Sequence, residues 1–130
     1  MGKAGWPPAY WMGAEYDRHW PVYGEPWIDV VESTKNGPRK YHPSLSKSDI
    51  QKLEMSYRKQ QRKLRHPREP QVAHWIVTYA GEVVGASNGK ETNKVLVKRS
   101  QNGPVHGHPI NDEELNNYEN KYGYYEEHEL

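Results

Sequence analysis

The order of apolar and polar positions divides the chain into four parts. From Ile50 an apolar stripe recurs at Leu53, Tyr57 and Leu64, the three-, four- and seven-residue spacing of one helix face. Ser46 with Asp49, or Ser48 with Gln51, supplies a capping box in front of it. Pro67 and Pro70 stand beyond it, so the pattern predicts a helix over about 47–65. Next comes "VAHWIVTYA" (72–80), whose alternation puts His74, Ile76 and Thr78 on one face and Trp75, Val77 and Tyr79 on the other. Gly81-Glu82 suits a tight turn, "EVVGASNG" a second strand closed by Asn88-Gly89, and "KVLVKRS" (94–100) a third. The Asn102-Gly103-Pro104 turn leads to "VHGHPI", a short fourth strand or an extended loop. Asn111 then caps a helix, with Asp112 and Glu113 in its first turn and Glu114 three residues on. This helix runs to about Lys121 and stops at Gly123, leaving "YYEEHEL" as a frayed tail.

The first part has no such period. "WPPAYWMGAEYDRHWPVYGEPW" is broken by proline, which removes donors and fixes φ, so no long helix forms there. It nevertheless holds Trp6, Trp11, Trp20 and Trp27, and disordered segments are poor in aromatics. Residues 1–45 therefore read as an irregular arm packed on the domain or on a partner, with "WIDVVES" (27–33) as a short strand and "TKNGPRKYHP" as turn and loop. Residues 46–130 read as the α+β domain proper. The expected fold class is α+β: a single small domain with an aromatic and Pro-rich N-terminal arm, one basic helix, a three- to four-stranded antiparallel meander and a C-terminal helix.

Length changes this picture little, because 130 residues make one domain. The absence of cysteine excludes disulfides, thiolate nucleophiles and thiolate metal sites. No run of even ten apolar residues occurs, so no membrane span is expected. "MGKAGWPPAYW" lacks the apolar core of a secretory signal, and Trp6 stands where a myristoylation motif wants Ser or Thr. The expected location is cytoplasmic, including the cytoplasm of a target cell into which the chain is delivered.

Charge changes it more. The formal net charge is +1, but residues 35–70 carry eleven basic and three acidic groups, whereas residues 111–130 carry one basic and seven acidic. A segregated basic middle can present a cationic face to nucleic acid or to an acidic protein. On the expected helix, Arg58, Lys59, Arg62, Lys63 and Arg65 would form a phosphate track, with Trp and Tyr as stacking surfaces for unpaired bases. The plainer reading is a solvated helix face and an aromatic core.

The densest candidate chemistry lies at "VKRSQNGPVHGHPI" (97–110). On an extended strand His106 and His108 share one face, with Gly107 keeping the backbone open between them. Lys98, Arg99 and Ser100 lie across the turn. Lys98 and Ser100 share a face and Arg99 takes the other, so all three serve one site only with a bulge. Two imidazoles and a cation suit metal-independent RNA cleavage, in which a base takes the 2′-hydroxyl proton and an acid protonates the leaving 5′ oxygen. No cofactor is needed. The plainer reading is two surface histidines and edge-strand charges.

A second possibility is a His-x-His metal pair, completed by Glu113, Glu114 or His74, supporting a metal-dependent nuclease. Glu15, Asp17 and His19 lie close in sequence without a period to orient them. No phosphate-binding loop forms around Gly89-Lys90, since Glu91 follows, and no Gly-x-Ser-x-Gly elbow occurs.

The element order is similar, at the level of architecture, to compact ribonuclease domains at the ends of bacterial toxins, with no motif matched residue by residue. That likeness implies RNA as substrate and an acidic immunity-type protein as partner. The alternative is a non-enzymatic nucleic-acid-binding or assembly subunit that uses its aromatic arm and basic helix.

Overall fold

A computed structural model describes residues 7–59, 62–64, 72–80, 82–122 and 124–126. Its centre is a strand triplet. β4 (Val72–Thr78) pairs antiparallel with β7 (Lys94–Ser100), which pairs antiparallel with β8 (Pro104–Pro109). Around them the chain adds β1 (Tyr10–Trp11), β2 (Lys40–Tyr41), β3 (Arg62–Leu64), β5 (Gly85–Ser87), β6 (Lys90–Thr92) and β9 (Tyr124–Glu126). The six-stranded sheet runs β1-β8-β7-β4-β3-β9, parallel only at β1–β8, and a smaller sheet runs β2-β5-β6. With α1 (Trp27–Ser33), α2 (Lys47–Met55) and α3 (Asp112–Tyr122), the fold is α+β. Among the described residues no helix is long and apolar enough to cross a membrane.

Side-chain alternation gives the large sheet two faces. Trp75 and Val77 of β4, Val95 and Val97 of β7 and Val105 of β8 pack with Tyr41, Leu45, Ile50 and Tyr57 into the main core. The other face carries Ile76 and Leu96, which join Ile110, Leu115 and Tyr118 under α3. Residues 7–45 wrap the β8 edge of the sheet. Trp11 packs on the main core, and two 3-10 turns (Gly13–Glu15 and Asp17–His19) carry the chain onward.

Both predicted helix starts form. Ser46 accepts from the Asp49 amide while Asp49 accepts from the Ser46 amide. Asn111 and Glu114 do the same for α3, at 2.8 and 3.2 Å. The Asn-Gly turns at 88–89 and 102–103 form as well. Asn88 and Gly89 have φ of 50° and 80°, the left-handed pair of a tight hairpin. Gly103 has φ of 113°, and its amide closes the β7–β8 turn on Ser100.

Four local expectations are corrected. "WIDVVES" is helix α1: Val30 and Thr34 are buried and Trp27 and Val31 half-buried, a spacing of three, four and seven that belongs to a helix face. The 47–65 helix ends at Met55, followed by a 3-10 turn over Ser56–Lys59. Its apolar stripe lapses after Tyr57, and β3 gains more by pairing with β4 and β9. The hairpin β5–β6 does not extend the meander; it leaves for the small sheet, because β4 pairs along its whole length with β7. Residues 124–126 are not a frayed end but strand β9, paired with β3. Gly81, Gly123, Pro67 and Pro70, which carry the predicted stops and turn, lie outside the described residues.

Candidate functional site

The β4–β7–β8 register assembles a row of polar side chains on the α3 side of the sheet. Lys98 pairs with His74 on one side and with His106 on the other. One rung along, Leu96 sits between Ile76 and His108. His106 and His108 thus share a face with Lys98 between the strands, as the two-residue period requires. Ser100 lies two residues beyond Lys98 at the end of β7, on the same face.

Arg99 does not join them. It projects to the opposite face and donates to the Pro7 carbonyl, so the strand has no bulge that would bring it round. The expected phosphate track does not form as one helix face either. Arg58 and Lys59 lie exposed on the 3-10 turn, Arg62 and Lys63 belong to β3, and Arg65 is outside the described residues. The loss of helix after Met55 removes the spacing that would have aligned them.

The arm supplies residues that periodicity missed. Tyr16 stacks on His106, ring centroids 4.0 Å apart and planes 16° from parallel. His19 faces His108 at 5.4 Å. His19 is buried, and its Nδ1 lies 2.9 Å from the Arg39 carbonyl. The Nδ1 of His108 lies 2.8 Å from the Pro109 carbonyl. A carbonyl only accepts, so in the neutral rings Nδ1 carries the proton and Nε2 holds the basic lone pair.

Arg39 is itself fixed. Its Nε donates to Ser87 Oγ at 3.1 Å and its Nη2 to Glu114 Oε2 at 2.8 Å. Ser87 also donates to Glu114. Burial would raise the Glu114 pKa, but the Ser87 hydroxyl, the Asn111 amide and Arg39 outweigh it and lower it. The cap of α3 therefore anchors the loop whose carbonyl orients His19.

Electrostatically the site is cationic. Burial, then Lys98, His19 and Arg18, lower the His106 pKa to about 4. Burial is also the main cause for His108; its bond to Pro109 opposes, Arg39, His19 and Lys98 add, and the result is about 3. Burial likewise lowers His19, against its bond to Arg39. The cations that lower the two strand histidines are Lys98 for both, Arg18 for His106 and Arg39 for His108, the last itself paired with Glu114. All three imidazoles are neutral at pH 7.

His74 is fully buried, near Tyr118 at 6.2 Å, and Glu114 is committed to Arg39 and Ser87. Among the described residues no three His, Asp or Glu side chains converge as a metal-ligand set. The signal that could have found His19 is the "YDRH" stretch, a cation and an imidazole between aromatics. Its proximity to His108 arises only through the long-range β1–β8 pairing. No protein-family model, curated protein or solved structure matches this chain.

Proposed function

We propose that this face of the sheet is a metal-independent ribonuclease site. The observation that carries the reading is the Lys98–His106 cross-strand pair beside the His19–His108 ring pair, with Lys98, Arg18 and Arg39 acting on the two strand histidines. A phosphodiester seated there would be held by Lys98, with Arg18 and Arg39 adding to the field. His108, with Nε2 basic, takes the 2′-hydroxyl proton. The 2′ oxygen attacks phosphorus, the 5′ oxygen leaves, and a 2′,3′-cyclic phosphate forms. His106 takes up a proton as the negative phosphate binds, since that charge opposes both the cost of burial and the repulsion from Lys98, and it passes this proton to the 5′ oxygen. An acidic protein covering the same face would act as an inhibitor.

The test is labelled RNA and DNA of one sequence, with and without EDTA, against wild type, His106→Ala and His108→Ala. Cleavage of RNA alone, insensitive to EDTA and reduced on the order of 10²-fold or more in both variants, supports the reading. Intact RNA under all conditions contradicts it. A second reading, a binding or assembly subunit, draws on Tyr10, Tyr23 and Ile28, which are 51%, 63% and 75% exposed. It predicts retardation of RNA without cleavage.

A further inference from the structure

Behind the histidines, on the main-core face, lies a carboxylate that this chemistry does not use. Glu54 of α2 is 1% exposed. It accepts from Trp11 Nε1 at 2.8 Å and from the Tyr41 hydroxyl at 2.6 Å. Its third donor is the amide of Gly107, the residue between His106 and His108.

Topology explains the vacancy that Glu54 fills. β8 has β7 on one side and β1 on the other, but β1 reaches only to Val105, whose carbonyl accepts from Met12 at 2.7 Å. Among the described residues no strand pairs with the outward amide of β8 past that point, and a buried amide must be satisfied. Glu54 takes the place of the missing strand. A Cβ at Gly107 would lie 2.8 Å from the Leu96 carbonyl oxygen of β7 and 3.4 Å from Glu54 Cδ, so the glycine keeps β8 close to β7 while the carboxyl group sits in contact behind it.

Trp11 opens the segment that carries Tyr16 and His19 over the opposite face. One carboxylate is therefore bonded to both halves of the candidate site, the β8 histidines and the arm. Burying a carboxylate costs free energy that an apolar side chain of similar size would not, so its presence is better explained by geometry than by stability. Burial raises its pKa, and the three donors converging on it oppose that by favouring the ionised, acceptor-only form.

We propose that Glu54 is the positioning residue of this site, setting Gly107 and Trp11, and through them His106, His108, Tyr16 and His19, in one register. Its catalytic consequence rests on the ribonuclease reading; its structural consequence does not.

The test is Glu54→Gln in the full chain. Gln keeps the shape but turns an amide donor toward one of the three donors. In amide and imidazole NMR spectra at neutral pH, the Gly107, His106, His108 and His19 signals should shift, while the Gly89 amide of the β5–β6 hairpin, bonded to Thr34, stays. RNA cleavage should fall on the order of 10²-fold in kcat with KM unchanged. Trp11→Phe, which removes one donor and keeps the packing, should shift Tyr16 and His19 more than Gly107 and lower kcat less. This second variant keeps the test open if Glu54→Gln unfolds. Unmoved Gly107 and histidine signals in folded Glu54→Gln, or unmoved Tyr16 and His19 signals in Trp11→Phe, would overturn the proposal. So would shifted signals with kcat unchanged in an active enzyme. If wild type cleaves no RNA, the NMR arm still decides the positioning role, and only the ribonuclease reading fails.

Discussion

The two faces of the β4–β7–β8 triplet are made by the same strands and behave as different materials. On one face Trp75, Val77, Val95, Val97 and Val105 close against α2 and the Tyr41 strand. Their free energy is the removal of apolar surface from water, which is non-directional and roughly additive. On the other, Lys98, His106 and His108 meet His19 and Tyr16 of the arm. There burial works against the charged forms, and the imidazoles are held neutral. One face stores stability, and the other gives up part of it to hold imidazoles neutral. The two are coupled where they share a backbone, and Glu54 behind Gly107 is the clearest such point.

Mutations on the two faces should separate stability from activity. The largest effect is expected on the apolar face. Trp75→Ala should cost about 3–5 kcal/mol, read from the shift in urea midpoint, and abolish function by unfolding. A midpoint within about 1 kcal/mol of wild type would break the comparison.

Acid should act on the polar face. The folded pKa values of His106 and His108 lie near 4 and 3, below the ordinary 6.5. Above pH 6.5 both rings are neutral folded and unfolded, so stability is at its full value. As pH falls, the unfolded chain takes up protons that the folded chain refuses, and stability declines until the folded values are passed near pH 4 and 3. The prediction is a falling urea midpoint from pH 7 to 4, with a shallower fall in His106→Ala. An equal slope in that variant would place the proton uptake elsewhere.

Lys98→Ala should matter less. Removing a charged contact to phosphate raises KM for RNA about 10-fold, and the salt dependence of binding should lose about 0.7 in log–log slope. It should also raise the His106 pKa, since Lys98 is one of the charges that lower it. The smallest effect on cleavage belongs to Arg99→Ala. Its guanidinium serves Pro7 on the other face, so the cleavage rate should stay at the wild-type value while stability falls by about 1 kcal/mol. A large loss of cleavage would mean that Arg99 acts on the histidines from the opposite face.

How much of this the sequence disclosed depends on the range of the interaction. Alternation in "VAHWIVT" and "KVLVKRS" separates the faces, and the shared face of His106 and His108 follows from the same period. The caps at Ser46 and Asn111 and the Asn-Gly turns are local chemistry, and local chemistry is readable. What escaped depends on partners far along the chain. The residues of β3 read as the end of a helix, because their pairing with β4 and β9 is tertiary. His19 sits in a 3-10 turn with no period to give it a face, and its meeting with His108 needs the parallel β1–β8 contact. Glu54 looks in sequence like one more helix-surface acid. Only the end of β1 makes its burial useful.

The central claim, that the polar face performs general acid–base cleavage of RNA, is tested most directly by the product's end. Wild type should be incubated with a short RNA in EDTA, beside a copy carrying one 2′-deoxy residue at the cleaved position. The account predicts a 2′,3′-cyclic phosphate from the RNA, its absence with the 2′-deoxy copy, and its loss in His108→Ala. Cleavage of the 2′-deoxy copy, or products with a 5′-phosphate formed only when divalent metal is added, would contradict it.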